Sequence, residues 1–161
     1  MRYVGGMAAR STTVSRFIAA PRERIYSVFL DAEAVAKWLP PGSMTGIVHA
    51  FEGREGGAFS MSLVYPDDEA SQPGKTSDKT DRFEGRFARL VPDERIVWAT
   101  VFDSEDEGFS GEMTVSTILS PADGGTDVTI VCENIPAGVR LEDNEEGCRL
   151  TLGKLATFVG G

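Results

Sequence analysis

The chain contains few residues that could act as an acid or a base. His49 is its one histidine. A histidine cluster therefore cannot hold a metal ion, and no Cys-x-x-Cys pair is present to replace one, so we predict no metal and no cofactor. An imidazole that faced a cavity would be suited to move protons near neutral pH. An isolated histidine on a strand is more often a surface or packed residue, and we favour that interpretation of His49.

Carboxylates are the other source of acid–base chemistry, since a carboxyl group buried beside an apolar pocket can work as an acid or base. Glu112 and Glu133 alternate outward from their predicted strands, whereas Glu145 falls on the inward side of a predicted helix. Glu145 and His49 are thus weak catalytic candidates. A solvated carboxylate near a helix start is the more ordinary interpretation of Glu145. Asn144 beside it could hydrogen-bond a ligand or cap the helix.

The strongest signal is a set of aromatic and methionine side chains that the strand pattern directs to one face. Part of this set must form the core. A curved sheet has more concave area than one helix can fill, so we expect a cavity of the apolar kind that usually binds small ligands. The predicted ligand contacts are Trp38, Phe59, Met61, Phe83, Phe87, Trp98, Met113, Asn144, Glu145, Cys148 and Leu152.

Residues Gly74 to Ser77 contain the end of the phosphate-binding pattern G-x-x-x-x-G-K-[ST]. Glu69 stands where that pattern needs its first glycine, and no strand leads directly into the stretch. We therefore do not predict a nucleotide site. The polar, turn-rich residues 66–80 predict a long loop over one mouth of the cavity, where Lys75 could contact an anionic ligand.

The most regular stretch, residues 141–159, predicts one long C-terminal helix. Apolar side chains recur along it every three or four residues, which is the spacing of one helix face. Gly160 follows the last of them and ends the helix. At a rise of about 1.5 Å per residue, the helix would be about 28 Å long. The inward positions are Leu141, Cys148, Leu152, Leu155 and Val159.

Ahead of this helix, short alternating runs bounded by turn residues predict strands. The first strand, Thr12 to Ala19, is followed by two short helices, one begun by Pro21 and one capped by Asp31. Six more strands follow, and short turns between them require antiparallel pairing. The fold class is therefore α+β, with a curved seven-stranded antiparallel sheet wrapped on the C-terminal helix. The later strands are predicted at residues 44–52, 58–65, 81–90, 95–102, 112–119 and 126–133.

Composition limits the class of protein and its partners. The 161 residues predict a flexible N-terminal arm at residues 1–10 and a single domain at residues 11–161. The net charge of −9 argues against nucleic acid and anionic membranes as partners. No apolar run is long enough to span a bilayer, and the first residues lack the apolar segment of a secretory signal. The two cysteines are too few for a disulfide framework, so we predict a cytoplasmic protein with reduced thiols.

A series of short motifs carries a resemblance to a known family. They are Pro21–Tyr26, Asp31–Glu33, Trp38–Pro40, Arg54–Gly57, Gly74–Ser77, Gly85–Phe87, Val91–Ile96, Glu142–Glu145 and Leu152–Ala156. With the order of elements, they resemble the START/Bet v-like superfamily (SRPBCC), whose architecture is called a helix-grip. The match is to a bacterial subgroup of the branch named for the activator of a heat-shock chaperone ATPase. Many members of this branch carry a tryptophan where this chain has Cys148, so we expect a wider cavity there.

The resemblance specifies the fold more than the activity, because this fold hosts carriers, cyclases and interaction modules. We predict first the binding of a small hydrophobic ligand that is lipid-like, polyketide-like or aromatic. One alternative is an interaction module that modulates a chaperone ATPase. Another is a cyclase or hydrolase that uses Glu145 or His49, although we favour a protein that is not an enzyme. Since sheet edges can pair, the chain could also form a homodimer.

Overall fold

The computed structural model describes residues 10–65, 80–102 and 107–160 of the chain. These residues form seven strands, three α-helices and a short 3₁₀ helix at Glu107–Phe109. The strands are β1 (Ser11–Ile18), β2 (Thr45–Phe51), β3 (Ala58–Val64), β4 (Thr80–Val91), β5 (Arg95–Phe102), β6 (Met113–Ala122) and β7 (Gly125–Glu133). The helices are α1 (Arg22–Phe29), α2 (Ala32–Trp38) and α3 (Leu141–Val159).

The strands build one antiparallel sheet in the order β1-β7-β6-β5-β4-β3-β2. Strands β2 to β7 each pair with the next along the chain, as short connections require. Strand β1 instead pairs with β7, because α1 and α2 separate it from β2. The two edges of the sheet are therefore β1 and β2. In this register Thr12 lies opposite Cys132, and Trp98 lies opposite Val115.

Three local features shape the sheet. Register shifts interrupt β2 between Val48 and Ala50, and β4 shortly before Arg89. Each shift places an extra residue in one strand, which bends and twists it. Gly85 lets β4 approach β5 closely, since a Cβ on it would lie 2.4 Å from the carbonyl oxygen of Ala99. These features help the sheet to wrap on its helices.

Helix α3 is held to the rest of the protein by its C-terminal half. Thr151 Oγ1 donates a hydrogen bond to the carbonyl oxygen of Leu39 at 2.8 Å, and Lys154 Nζ donates to that of Pro40 at 2.6 Å. Gly160 ends the helix in the left-handed conformation, with φ +82°. The buried side chains of α3 are Thr151, Leu152, Leu155, Ala156 and Val159. The turns before Thr151 carry no fully buried side chain, and Leu141 and Cys148 are only partly buried against the core.

Aromatic rings fill the space beneath α1 and α2. The ring centroids of Phe29 and Trp38 lie 4.5 Å apart, and those of Phe59 and Trp98 lie 4.9 Å apart. Phe59 also stacks on Phe87 at 5.7 Å. Such tilted and offset pairs are the favourable arrangements of aromatic rings. One end of the sheet is thus packed solid.

The structure confirms the predicted fold class and the order of its elements. The bounds of α3 agree with the prediction, as do those of β5. Other ends differ slightly: β6 continues to Ala122 rather than ending at Leu119. The predicted N-terminal arm, except for Arg10, lies outside the described residues, and so does the predicted loop with Lys75.

Asp31 caps α2, the helix that carries Trp38. Its Oδ1 atom accepts hydrogen bonds from the backbone N–H groups of Glu33 at 3.0 Å and Ala34 at 3.3 Å. We predict that Asp31→Ala lowers the free energy of unfolding by about 1 kcal/mol, measured by urea denaturation. Asp31→Asn is the matched control, because asparagine caps helices equally well. It should lower the free energy of unfolding by only a few tenths of a kcal/mol. Equal losses in the two variants would contradict the capping role.

Candidate functional site

A cavity of about 860 Å³ lies between the sheet and the N-terminal half of α3. Alternate residues of three neighbouring strands line it, because side chains on a strand alternate between the two faces. Those on β5 are Trp98, Thr100 and Phe102; those on β6 are Met113, Val115 and Thr117; those on β7 are Ile130 and Cys132. Phe29, Trp38, Leu39 and residues 41–44 line it from the side of α1 and α2.

The wall that α3 contributes has a different character. Four of its lining residues, Asn144, Gly147, Cys148 and Thr151, follow the spacing of one helix face. These side chains are small or polar, and those of Asn144 and Cys148 are half-buried. Leu150, 42% exposed, also lies along the lining. The helix thus covers the cavity without filling it.

Polar groups occur at a few places in the largely apolar wall. The hydroxyl of Tyr65 donates a hydrogen bond to Asp81 Oδ2 at 3.0 Å, and Asp81 is only 2% exposed. The Trp38 indole N–H donates to the carbonyl oxygen of Val28 at 3.0 Å. The buried indole N–H of Trp98 has no hydrogen-bond partner among the described residues. The cavity therefore combines an apolar body with a few polar groups that could orient a ligand.

Two thiols and two polar side chains meet where α3 crosses β1 and β7. Cys132 Sγ lies 3.9 Å from Cys148 Sγ, and Cys148 Sγ lies 4.0 Å from Asn144 Oδ1. Thr12, which is buried opposite Cys132 in the sheet, donates its hydroxyl proton to the same oxygen of Asn144. We call these four residues the thiol cluster. They are the principal polar contacts between the N-terminal half of α3 and the sheet among the described residues.

The thiol cluster makes its two sulfurs chemically unequal. Hydrogen bonding from the Cys148 thiol, with smaller contributions from Asn144 and Thr12, lowers the pKa of Cys132 against the opposing effect of burial. The same hydrogen bond, together with burial, raises the pKa of Cys148. Cys132 is therefore the sulfur that loses its proton first.

The structure brings six of the eleven predicted contact residues to the cavity wall. They are Trp38, Phe83, Trp98, Met113, Asn144 and Cys148. The other five lie outside the lining that the described residues form. They are Phe59, Met61, Phe87, Glu145 and Leu152. Whether the six contact a ligand remains a prediction.

The four apolar side chains outside the lining belong to the core. Phe59, Met61 and Phe87 are fully buried, and Leu152 is 1% exposed. They lie at the end of the sheet where α1 and α2 pack, so neighbouring rings occupy the space that a ligand would need. Strand alternation identified the correct face, but the position along the strand decides between core and cavity.

Neither weak catalytic candidate lines the cavity. Glu145 forms an ion pair with Arg149, with an N···O distance of 3.9 Å. His49 is exposed on the edge strand β2, where its Nε2 lies 2.8 Å from the hydroxyl oxygen of Ser62. Glu112, predicted to point outward, pairs with Arg86 on the surface, with an N···O distance of 2.9 Å. Neither Glu145 nor His49 therefore supplies an acid or base inside the cavity, as the predicted cyclase or hydrolase would require.

Several lining residues were missed by the sequence analysis, although a signal for them existed. Thr100 and Thr117 are in phase with Trp98 and Val115 on their strands, and Asp81 is in phase with Phe83. Because these side chains are polar, a pattern of apolar side chains does not include them. Additional lining residues come from connecting segments and from the short 3₁₀ helix, which show no apolar periodicity: Pro41, Gly42, Ser43, Phe109, Gly138 and Val139.

Within residues 10–65, 80–102 and 107–160, no group of three or more histidine, cysteine or acidic side chains could hold a metal ion. None of the helices in those ranges is long and apolar enough to cross a bilayer.

A curved antiparallel sheet closed by a long C-terminal helix, with a cavity between them, defines the helix-grip class of protein. The family model described as "Activator of Hsp90 ATPase homolog 1-like protein" matches residues 19–160. The chain therefore belongs to this family, within the SRPBCC superfamily, whose members commonly bind hydrophobic ligands. A search of curated proteins finds no match.

Solved structures of bacterial proteins are similar over nearly the whole chain. A crystal structure from Chromobacterium violaceum shares 34% identity at a TM-score of 0.81, covering 94% of this chain and 97% of the other. A protein from Arthrobacter aurescens shares 17% identity at a TM-score of 0.76, covering 93% and 86%. A protein from Mycobacterium smegmatis shares 18% identity at a TM-score of 0.72, covering 92% and 90%. The last two likenesses concern the fold alone.

The division between core and cavity predicts unequal effects of two Phe→Ala substitutions. Phe59 is fully buried, whereas Phe17 on β1 is 47% exposed. We expect Phe59→Ala to lower the free energy of unfolding by about 3–5 kcal/mol, because it leaves a hole among packed rings. Phe17→Ala should change it by about 0.5 kcal/mol or less. Denaturant unfolding followed by circular dichroism measures both, and a small effect of Phe59→Ala would contradict its assignment to the core.

Proposed function

We propose that the protein binds one small, mainly apolar molecule in the cavity between the sheet and the N-terminal half of α3. The observation that carries this proposal is a cavity of about 860 Å³ with walls that are chiefly apolar and aromatic. Sites for small organic ligands usually span about 300–1,000 Å³ and have this composition. Membership of a superfamily that commonly binds hydrophobic ligands supports the same function.

The lining favours a ligand with an apolar body and a few polar groups. Thr100 and Thr117 offer hydroxyls on the sheet side, and the pair of Tyr65 and Asp81 offers a polar group at the start of β4. The unpaired N–H of Trp98 could donate to an acceptor oxygen of the ligand. Lipid-like, polyketide-like and aromatic molecules all meet this description.

Simple energetics indicate that polar contacts must contribute. Burial of apolar surface stabilises by about 25 cal/mol per Å², so a ligand that buries about 300 Å² gains about 7.5 kcal/mol, from which the cost of immobilisation is then subtracted. Micromolar binding requires a net free energy of about 8 kcal/mol. Apolar burial alone therefore falls short, and shape and hydrogen bonding select the ligand.

The binding proposal can be separated from the chaperone alternative, which comes from the family's name rather than from a described feature of this chain. A chaperone regulator would act through its outer surface, so closing the cavity would leave its effect on an ATPase unchanged. Measuring chaperone ATPase rates with a cavity-blocked variant distinguishes the two functions. If only the cavity-blocked variant failed to stimulate the chaperone ATPase, ligand binding and chaperone regulation would be connected.

The direct test uses a neutral fluorescent probe, N-phenyl-1-naphthylamine, with the purified full chain. We expect saturable enhancement of its fluorescence with a stoichiometry of one probe per chain, because its naphthalene and phenyl rings match the apolar lining. Native mass spectrometry of the same preparation should show a one-to-one complex. Absence of both signals would contradict the proposal.

A pair of matched variants locates the probe. Val115 lines the cavity on β6, whereas Val101 on β5 points to the opposite face of the sheet and is 40% exposed. We predict that Val115→Trp weakens probe binding at least about tenfold, a loss of about 1.4 kcal/mol, because the indole occupies ligand space. Val101→Trp adds the same volume outside the cavity and should bind like the original protein. Equal behaviour of the two variants would place the probe elsewhere.

A further inference from the structure

The two cysteines occupy positions from which they can bond to each other. Cys132 lies on β7 and Cys148 on α3, and both line the cavity. Their Sγ atoms are 3.9 Å apart. A disulfide bond is about 2.05 Å long, so the sulfurs need to approach by about 2 Å. Gly147, the residue before Cys148, has open space where a Cβ would be, and a glycine gives this turn of the helix the backbone freedom for a small local shift.

The thiol cluster also divides the chemical roles between the sulfurs. A thiolate, not a thiol, is the reactive nucleophile. Hydrogen bonding lowers the pKa of Cys132, chiefly from Cys148 and further from Asn144 and Thr12. Cys148, whose pKa is raised, keeps its proton and remains available for a second step. Nucleophile and resolving thiol are thus already adjacent.

Access to the sulfurs comes from the cavity. Cys132 is only 2% exposed, which protects it from bulky oxidants at the outer surface. Its position in the cavity wall leaves a path for a molecule small or apolar enough to enter. Hydroperoxides satisfy this condition, either as hydrogen peroxide or with an organic group that suits the lining.

We propose that Cys132 and Cys148 are a modification site at which a hydroperoxide forms a reversible disulfide between β7 and α3. The Cys132 thiolate attacks the terminal oxygen of the hydroperoxide, and the O–O bond breaks. The alkoxide or hydroxide that leaves takes up a proton, and Cys132 becomes a sulfenic acid. The Cys148 sulfur then attacks the Cys132 sulfur and the S–O bond breaks. The hydroxyl leaves with the Cys148 proton as water, so two electrons pass from the thiols to the hydroperoxide.

The bond would act on the part of α3 that the core does not hold. All buried side chains of this helix lie from Thr151 onward, whereas Cys148 lies in the half that covers the cavity. A disulfide would join this half covalently to the sheet. A molecule in the cavity would then exchange more slowly with the solvent. Only this consequence rests on the proposed ligand-binding function; the formation of the disulfide is independent of it.

The test treats the reduced full chain with hydrogen peroxide or with cumene hydroperoxide and measures its intact mass. We expect a chain lighter by two hydrogen atoms, a linked peptide pair containing Cys132 and Cys148, and recovery of both thiols with dithiothreitol. Faster reaction with cumene hydroperoxide would identify organic hydroperoxides as the better substrate, and faster reaction with hydrogen peroxide the opposite. Two thiols that are still alkylated by N-ethylmaleimide after treatment, or disulfides only between chains, would overturn the proposal.

Single variants test the order of the steps. Cys148→Ser should stop at a sulfenic acid on Cys132 that dimedone labels, and Cys132→Ser should form no disulfide within the chain. In the chain with both cysteines, dimedone added during the peroxide reaction should label Cys132 at least about tenfold faster than Cys148, because both thiols then keep the hydrogen bond that makes them unequal. Faster labelling of Cys148 would overturn the assigned roles. Circular dichroism checks that both variants fold. If one of them does not fold, the intact-mass measurement on the chain with both cysteines still decides the proposal.

A last measurement keeps this proposal separate from the proposed function. N-phenyl-1-naphthylamine should dissociate at least about tenfold more slowly from the oxidised chain than from the reduced chain. The Cys132→Ser/Cys148→Ser double variant should show no difference after peroxide treatment. An observed disulfide without probe binding would support the modification site and contradict the ligand-binding function. Probe binding without a disulfide would do the reverse.

Discussion

The attachment of the C-terminal half of α3 is the interaction on which the rest of the structure depends. Its buried side chains pack into the core, and Thr151 and Lys154 donate hydrogen bonds to the carbonyl oxygens of Leu39 and Pro40. These contacts fix where the helix lies and how far its other half stands from β5, β6 and β7. Because that other half contributes small and polar side chains, the space beneath it stays open. One anchored helix thus creates both core and cavity.

The aromatic cluster gives the cavity a firm boundary. Trp38 and Trp98 line the cavity and also contact the ring of Phe29, at 4.5 and 5.8 Å between centroids. Phe59 packs behind Trp98. Close packing of such rings resists rearrangement. The apolar floor is therefore preformed, and the adaptable part of the site is the wall that α3 supplies.

The sequence predicts the fold well because its pattern is regular where packing is regular. Apolar periodicity identified α3 and the inward face of each strand. It could not separate Phe59 from Phe83, since both lie on the same face and only the position of the helices distinguishes them. It placed Cys148 inward correctly but directed Glu145 inward as well, whereas Asn144, Gly147 and Thr151 share the cavity face with Cys148. Small and polar residues over an open space have no apolar packing partner, so apolar periodicity does not mark them.

The bulge in β2 has a consequence for contacts between copies of the protein. This strand forms an edge of the sheet and exposes Ile47 by 53%. A straight edge of that kind would offer its free N–H and C=O groups as a template for cross-β association. The irregularity between Val48 and Ala50 breaks the even spacing of those groups and twists the strand away from a flat partner. The same bulge that helps the sheet to curve thus also keeps edge strand β2 from pairing with other copies of the protein.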